Sequence, residues 1–151
     1  VVVGLGTDGP SSGNTLDLFS QMRMFANFHK THLQERSAFP AEQIVKLATI
    51  GGAKVLGMAE HIGSIEAGKQ ADIILVETDS VNMFPIFDPY SALVYSANAG
   101  NVRDVFIAGK QVVAEKKLVD FDIRQLRAEL AEAMEQCGFQ SKALSAIERN
   151  I

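Results

Sequence analysis

Hydrophobic side chains follow two different spacings in the first part of the chain, and each spacing predicts a different element. Residues 1–6 are apolar without alternation, as in a strand that is buried on both faces. From residue 18 to about residue 30, apolar side chains recur every three or four positions, which predicts an amphipathic helix. Asn14 is placed to cap this helix, with Asp17 in its first turn. Pro40 is predicted to begin a second helix, which extends to about residue 55.

The second part of the chain is predicted to be mostly β-structure. Residues 62–72 are rich in turn formers and lead into a predicted strand at 73–76. A short helix is predicted at 90–95, and residues 102–114 are predicted to form a β-hairpin. Apolar positions at helical spacing between residues 123 and 137 predict a terminal amphipathic helix. The element order is therefore one strand, two helices, a β-rich region and a final helix.

Two consecutive glycines, Gly51 and Gly52, lie inside the second predicted helix. Each glycine costs about 1 kcal/mol relative to alanine in a helix interior, so helix propensity does not explain the pair. Their small size predicts that a neighbouring backbone packs closely against this helix. The face predicted to pack inward contains Ile44, Leu47, Ala48, Gly51 and Val55.

Composition narrows the class of protein. The chain has 151 residues and a formal net charge of −4, which argues against a protein that binds the nucleic-acid backbone. Apolar runs in the sequence are shorter than the roughly 20 residues that a membrane helix needs. The single cysteine, Cys137, excludes an intramolecular disulfide and fits a reducing compartment. We therefore expect a cytoplasmic protein that has neither nucleic acid nor membrane as a partner.

The first predicted strand leads into a glycine-rich turn that contains an acid. Gly4, Gly6 and Gly9 have the spacing of a dinucleotide-binding loop. Pro10 and four further loop residues separate that loop from the helix that would hold the pyrophosphate, so a dinucleotide-binding module is only a remote alternative. Asp8 lies instead at the carboxyl end of a predicted strand, where α/β enzymes often place their chemistry. Its carboxylate can bind a metal, act as a general base or simply cap the turn.

A series of longer motifs follows in a fixed order through most of the chain. They are Gly6-Thr7-Asp8-Gly9, Leu47-Ala48-Thr49-x-x-Gly52-Ala53, Gly63-Ser64-Ile65-Glu66-Ala67-Gly68-Lys69-x-Ala71-Asp72, Asp88-Pro89-x-Ser91-x-Leu93-Val94-Tyr95-Ser96 and Val102-x-x-Val105-x-Ile107-x-Gly109-Lys110. Together they resemble the C-terminal portion of the amidohydrolase superfamily. The branch resembled contains guanine-type and methylthioadenosine/S-adenosylhomocysteine-type deaminases and triazine hydrolases. The Gly-Ser-Ile-Glu string is the most specific motif, and it indicates the superfamily rather than the substrate.

The resemblance implies an α/β fold that is part of a larger one. Residues 1–57 would be the end of a metal-dependent-hydrolase TIM barrel, comprising its eighth strand and the helices that follow. Residues 58–119 would be part of a small composite β-sandwich, and 120–151 a C-terminal helical segment. The β-branched residues at the first three positions also suggest that the chain begins inside a domain. Because a lone barrel strand lacks neighbours, we expect either a homo-oligomer or further sequence upstream.

The resemblance assigns roles to two residues. Asp8 corresponds to the family's strand-eight aspartate, which binds the metal and moves a proton from the metal-bound water. Asn14 corresponds to a residue of the following loop, where it would contact substrate or cap the helix. The family's histidine ligands and helper glutamate have no counterparts, since His29, His32 and His61 do not fit their positions. The complete enzyme would hold one divalent metal, zinc or iron, which this chain alone would lack.

The function implied for the complete enzyme is hydrolysis of a heterocyclic ring substituent. The bond would be C–N, in a deamination, or C–Cl, in a dechlorination, of a small purine-, pyrimidine- or triazine-like molecule. The chain by itself is expected to be inactive, because a catalytic zinc usually has three protein ligands. The alternative hypothesis is a non-catalytic assembly fragment that requires other chains.

Overall fold

The computed structural model describes residues 1–138. The chain divides into two compact units, Val1–Lys117 and a second unit that begins at Leu118. The first half of unit one is helical: α1 (Pro10–Gly13), α2 (Leu18–Leu33), α3 (Ala41–Lys46), a π-helical turn (Leu47–Gly51) and α4 (Gly52–Val55). The remainder contains β1 (Ile73–Val76), α5 (Pro89–Ser91), a second π-helical turn (Ala92–Ser96), a 3₁₀ turn (Ala99–Asn101), β2 (Val102–Ile107), β3 (Lys110–Ala114) and β4 (Lys117–Leu118). The terminal helix is α6 (Ile123–Gln136).

Most of the predicted elements are confirmed. The two long helices, the strand at 73–76, the short helix near residue 90, the hairpin and the terminal helix are all present. The predicted terminal segment 120–151 extends beyond the described residues, so its positions 139–151 lie outside them. None of the helices in residues 1–138 is long and apolar enough to cross a membrane.

The buried strand predicted at residues 1–6 is wrong. These residues have no regular secondary structure, and Val1, Val2 and Val3 are exposed. A strand is held by a ladder of backbone bonds to a neighbouring strand. Within the described part of the chain, this segment makes a backbone hydrogen bond through the Leu5 N–H. It donates to the Leu47 carbonyl oxygen at 3.0 Å. That acceptor belongs to a helix, so the segment runs along a helix without entering a sheet.

The prediction that Asn14 caps the first long helix is also wrong. Asp17 is the N-cap of α2, and its Oδ1 accepts a hydrogen bond from the Phe19 N–H at 3.0 Å. Asn14 instead ends the short helix α1 with a left-handed φ of 56°. Its N–H donates to the Pro10 carbonyl at 2.9 Å. Asparagine is one of the few residues that tolerate this conformation, which explains why it occupies the end of the turn.

The side chains that the second helix buries match the prediction near its start and differ from it near its end. Ile44 is fully buried, as predicted, whereas Val55 is 56% exposed. The helix passes through the π-helical turn Leu47–Gly51 between these two residues. A π-helical turn inserts one extra residue and rotates everything that follows it around the helix axis. Ala53 is consequently the buried residue of α4.

The close approach predicted at the glycine pair is confirmed. A Cβ atom added to Gly51 would lie 2.9 Å from the Val3 carbonyl oxygen. A Cβ atom added to Gly4 would lie 2.7 Å from the Cα atom of Gly52. Gly51 on the helix and Gly4 on the N-terminal segment therefore let the two backbones pack directly against each other.

The core of unit one lies among its helices and one loop. Its buried apolar side chains come from α2, α3, the loop after β1, and the second π-helical turn with the residue that follows it: Phe19, Met22, Ala26, Ile44, Met83, Ala92, Val94 and Ala97. Arg23 on α2 also crosses to this turn, where its Nη2 donates to the Ala97 carbonyl at 2.6 Å. Apolar contacts and one charge-assisted hydrogen bond thus hold the helical region together.

The sheet has the strand order β1-β2-β3-β4, with β1 antiparallel to β2 and β2 antiparallel to β3. The turn between β2 and β3 contains Ala108 and Gly109, both with left-handed φ values, of 48° and 82°. Asp72 holds this turn, because its Oδ1 accepts a hydrogen bond from the Ala108 N–H at 2.7 Å. Asp72 therefore fixes the entry into β1 against the hairpin.

Asp104 is a buried acid of the sheet that the sequence motifs did not reveal. Its side chain accepts hydrogen bonds from Arg103 Nε at 2.6 Å, from the Glu115 N–H at 3.0 Å and from Gln111 Nε2 at 3.2 Å. The bond from Arg103, followed by that from Glu115, holds the pKa of Asp104 below its ordinary value. Since the charged form receives these bonds, the carboxylate stabilises the folded sheet.

Changing Asp104 to asparagine should therefore give a pH-dependent loss of stability. A carboxyl whose pKa is depressed by folding stabilises the protein above its ordinary pKa, at about pH 4, and loses that contribution as the pH falls through the folded pKa. We expect Asp104→Asn to lower the urea midpoint at pH 7 and to differ less from the wild type at pH 3. Urea unfolding at both pH values measures this change, and a difference that stays constant with pH would contradict it.

Candidate functional site

Asp8 lies in a tight turn immediately before α1. It is exposed, and its Oδ1 accepts a hydrogen bond from the Gly9 N–H at 2.7 Å. The Thr7 hydroxyl donates to the Asp8 carbonyl oxygen at 3.0 Å. Within residues 1–138, Oδ2 receives no hydrogen bond and is available for chemistry. The turn thus uses one carboxylate oxygen for its own structure and presents the other.

The backbone of Asp8 is in the left-handed region, with a φ of 58°. This conformation costs an L-residue roughly 1–2 kcal/mol and persists where the surrounding structure enforces it. Here α1 follows directly, and the Gly9 carbonyl accepts hydrogen bonds from Ser12 N–H at 3.0 Å and Gly13 N–H at 3.2 Å. The strained residue is therefore held by the helical turn that follows it.

The other predicted site residue, Asn14, lies at the opposite end of the same helical turn. It is exposed, and α1 separates it from Asp8. Its backbone ends the turn, since its N–H donates to the Pro10 carbonyl oxygen. The structure thus explains the backbone conformation of Asn14, while its contact with a substrate stays a prediction.

The residues described here do not form a complete metal site. Among residues 1–138, no three histidine, cysteine, aspartate or glutamate side chains are grouped so that they could hold a metal ion. Asp8 supplies a single carboxylate. His29 and His32 are engaged elsewhere, since the ring of His29 lies 4.3 Å from that of Phe25 and the ring of His32 stacks 5.9 Å from that of Phe28. A catalytic zinc usually needs three protein ligands, so the described residues are too few to hold a catalytic zinc.

A wide apolar groove of about 670 Å³ lies in unit one, and the sequence did not predict it. It is lined by side chains from the N-terminal segment, α2, the second helix, β1 and the second π-helical turn, including Leu5, Phe19, Met22, Ala48, Ile73 and Leu93. Asp8 is not part of its lining. The apolar groove and the candidate catalytic carboxylate are therefore separate features of this chain.

Comparison with known proteins identifies the family. The Amidohydrolase family matches residues 1–112. The chain belongs to the Amidohydrolase family. The resemblance predicted from the motifs is thereby confirmed, as is the expectation of an amidohydrolase-type α/β fold, whose sheet in residues 1–138 has four strands.

Two relatives of this amidohydrolase chain are named deaminases. It is 43% identical over 122 residues to the 5-methylthioadenosine/S-adenosylhomocysteine deaminase 1 of Syntrophus aciditrophicus, a match that covers 81% of this chain and 28% of the relative. It is 38% identical over 143 residues to the 5'-deoxyadenosine deaminase of Methanobrevibacter smithii, covering 94% of this chain and 33% of the relative. The chain thus spans about three tenths of the length of the curated relatives that it matches.

Two similar solved structures contain zinc. The adenosine deaminase from Xanthomonas campestris, solved with bound zinc, superposes with a TM-score of 0.85 at 38% identity, over 90% of this chain and 31% of that one. The atrazine chlorohydrolase from Arthrobacter aurescens, complexed with zinc, superposes with a TM-score of 0.76 at 26% identity, over 87% of this chain and 29% of that one. A divalent metal is therefore a feature of enzymes that contain a region similar to this amidohydrolase chain.

Proposed function

We propose that this chain is the C-terminal portion of a metal-dependent deaminase that hydrolyses the exocyclic C–N bond of an adenosine-type nucleoside. The observation that carries the proposal is the 43% identity, over 81% of this chain, to a 5-methylthioadenosine/S-adenosylhomocysteine deaminase. The 5'-deoxyadenosine deaminase match supports the same substrate class. The complete enzyme would be cytoplasmic and homo-oligomeric, and its substrate would be a small heterocyclic molecule.

Membership of the family supports a specific place for the chain in the complete enzyme. Residues 1–57 would be the end of the TIM barrel, 58–119 part of the β-sandwich and 120–151 the terminal helical segment. The TM-score of 0.85 to a zinc-bound adenosine deaminase, over 31% of that chain, supports this placement. The remaining barrel strands would come from residues outside this sequence.

Asp8 is the residue to which we assign chemistry. It would provide one carboxylate to a divalent metal whose other ligands lie outside the described residues. When bound, such a metal makes water a better nucleophile at neutral pH. The chain's own contribution is a general base, because Oδ2 of Asp8 can accept a proton while Oδ1 stays bonded to the Gly9 N–H. Asn14, one helical turn away, would contact the substrate.

Dechlorination is the second candidate reaction. The structural likeness to an atrazine chlorohydrolase, at a TM-score of 0.76, favours it. The identity to that enzyme is 26%, below the 43% to the deaminase. Deamination is therefore the better-supported reaction.

A chimera tests the proposed function. The region of the Syntrophus aciditrophicus deaminase that aligns with this chain would be replaced by this sequence. We expect zinc-dependent release of ammonia from 5-methylthioadenosine at a kcat/KM within about tenfold of the relative, because the site would be complete. The isolated 151-residue chain with added zinc should release none. A folded, zinc-loaded chimera without deaminase activity, or one that releases chloride from atrazine instead, would overturn the assignment.

A further inference from the structure

Within residues 1–138, a backbone hydrogen bond attaches the segment that carries Asp8 to the second helix. The Leu5 N–H donates to the Leu47 carbonyl oxygen at 3.0 Å. Leu47 is the first residue of the π-helical turn Leu47–Gly51. A π-helical turn interrupts the regular i→i+4 ladder, so that its backbone can serve partners outside the helix. This bond fixes the position of the segment three residues before Asp8.

The missing side chain of Gly51, in the same π-helical turn, also leaves the space in which the N-terminal segment lies. A Cβ atom on Gly51 would come within 2.9 Å of both the Val3 and the Lys46 carbonyl oxygens. Lys46 lies five residues before Gly51 in the same helix, so the crowding arises within the π-helical turn as well as from the segment. On the other side, a Cβ atom on Gly4 would come within 2.7 Å of the Gly52 Cα atom. Both glycines stand where only a hydrogen atom fits.

In each of the two contacting segments, the next glycine along the chain has room for a methyl group. A Cβ atom on Gly52 would meet nothing within 4 Å, and a Cβ atom on Gly6 would likewise meet nothing within 4 Å. Neither residue has a left-handed φ. The requirement for glycine is therefore specific to Gly51 and Gly4, which makes Gly52 and Gly6 matched controls.

We propose that the π-helical turn Leu47–Gly51 is a positioning device for Asp8: the Leu47 carbonyl and Gly51, together with Gly4, set the register of the N-terminal segment and hence the place of the carboxylate at its end. This inference rests on the proposed function, which assigns chemistry to Asp8. It explains why the helix contains a π-helical turn that ends in a glycine at position 51. Gly4, Leu47 and Gly51 act through Asp8 and are positioning residues.

Amide hydrogen exchange of the 151-residue chain tests the device without any assay of activity. We expect Gly51→Ala and Gly4→Ala to speed the exchange of the Leu5 N–H by about tenfold or more, because its bond to Leu47 is displaced. Gly52→Ala and Gly6→Ala should leave that rate within about twofold of the wild type. The Val105 N–H in β2 reports whether the rest of the unit stays folded. If Gly51→Ala does not fold, Gly4→Ala provides the same comparison from the opposite side.

Steady-state kinetics of the chimera test whether the π-helical turn affects catalysis through Asp8. Gly51→Ala should lower kcat by about tenfold or more with KM changed less than about twofold, because substrate still binds while Asp8 is displaced. Gly52→Ala should leave both constants close to those of the parent chimera. Equal Leu5 exchange rates in all four variants, or equal kcat in the Gly51→Ala and Gly52→Ala chimeras, would overturn the inference. An inactive parent chimera would instead contradict the proposed function, and the exchange experiment would still decide whether the device exists.

Discussion

Replacing Asp8 by asparagine should lower the kcat of the chimera by about a thousandfold, since a positioned general base typically contributes two to four orders of magnitude. Asparagine has nearly the same size and also tolerates a left-handed backbone, so the turn at φ 58° should persist. The amide oxygen can still accept the hydrogen bond that the Gly9 N–H donates to Oδ1. What is lost is the negative charge and the capacity to take a proton. Steady-state kinetics with 5-methylthioadenosine would measure the change.

The control for this variant is Asp79→Asn. Asp79 is also an exposed aspartate, and it lies in the loop after β1, away from the Asp8 turn in the sequence. The same chemical change there should leave kcat and KM unaltered. A similar loss in both variants would mean that overall charge rather than Asp8 determines activity, and full activity of Asp8→Asn would remove Asp8 from the mechanism.

Replacing Ile44 by alanine should destabilise the chain by about 3 kcal/mol, within the range measured for large-to-small changes in packed cores. Ile44 is fully buried and belongs to the cluster that includes Phe19, Met22 and Val94. Removing three methyl or methylene groups there loses apolar burial and leaves a cavity that close-packed neighbours fill only in part. Urea unfolding of the 151-residue chain would measure the loss.

Val55→Ala is the matched comparison for Ile44→Ala. Val55 lies on the same face as Ile44 if the helix is regular throughout, but it is 56% exposed in the structure. Its truncation should change the free energy of unfolding by about 0.5 kcal/mol or less. Comparable losses at the two positions would contradict the rotation of the helix by the π-helical turn.

The sequence was informative where one local rule decided the structure. Regular apolar spacing predicted α2 and α6, and the Ala108-Gly109-Lys110 turn between two β-rich runs predicted the hairpin. Glycine at both 51 and 52 predicted a close backbone contact because no side-chain preference explains a glycine pair in a helix.

Sequence reasoning failed where a partner outside the element determined the outcome. Residues 1–6 have the composition of a buried strand, yet a strand exists only where a neighbouring strand accepts its hydrogen bonds. Val55 was placed on the wrong face because an inserted π-helical residue leaves no signature in a 3.6-residue repeat. Asp104 was missed because two of its three hydrogen-bond donors, Gln111 Nε2 and the Glu115 N–H, reach it only when the hairpin folds.

The left-handed backbone of the residues on either side of α1 limits which amino acids can replace them. Asp8 and Asn14 have φ values of 58° and 56°, so aspartate, asparagine and glycine are the residues that the backbone accepts readily at both positions. Single-nucleotide changes connect these three amino acids in the genetic code through aspartate. The turn can therefore gain or lose a charge during evolution while its shape is retained. The backbone conformation alone accounts for asparagine at position 14, whereas at position 8 it accepts asparagine or glycine as readily as aspartate and so does not by itself account for the carboxylate.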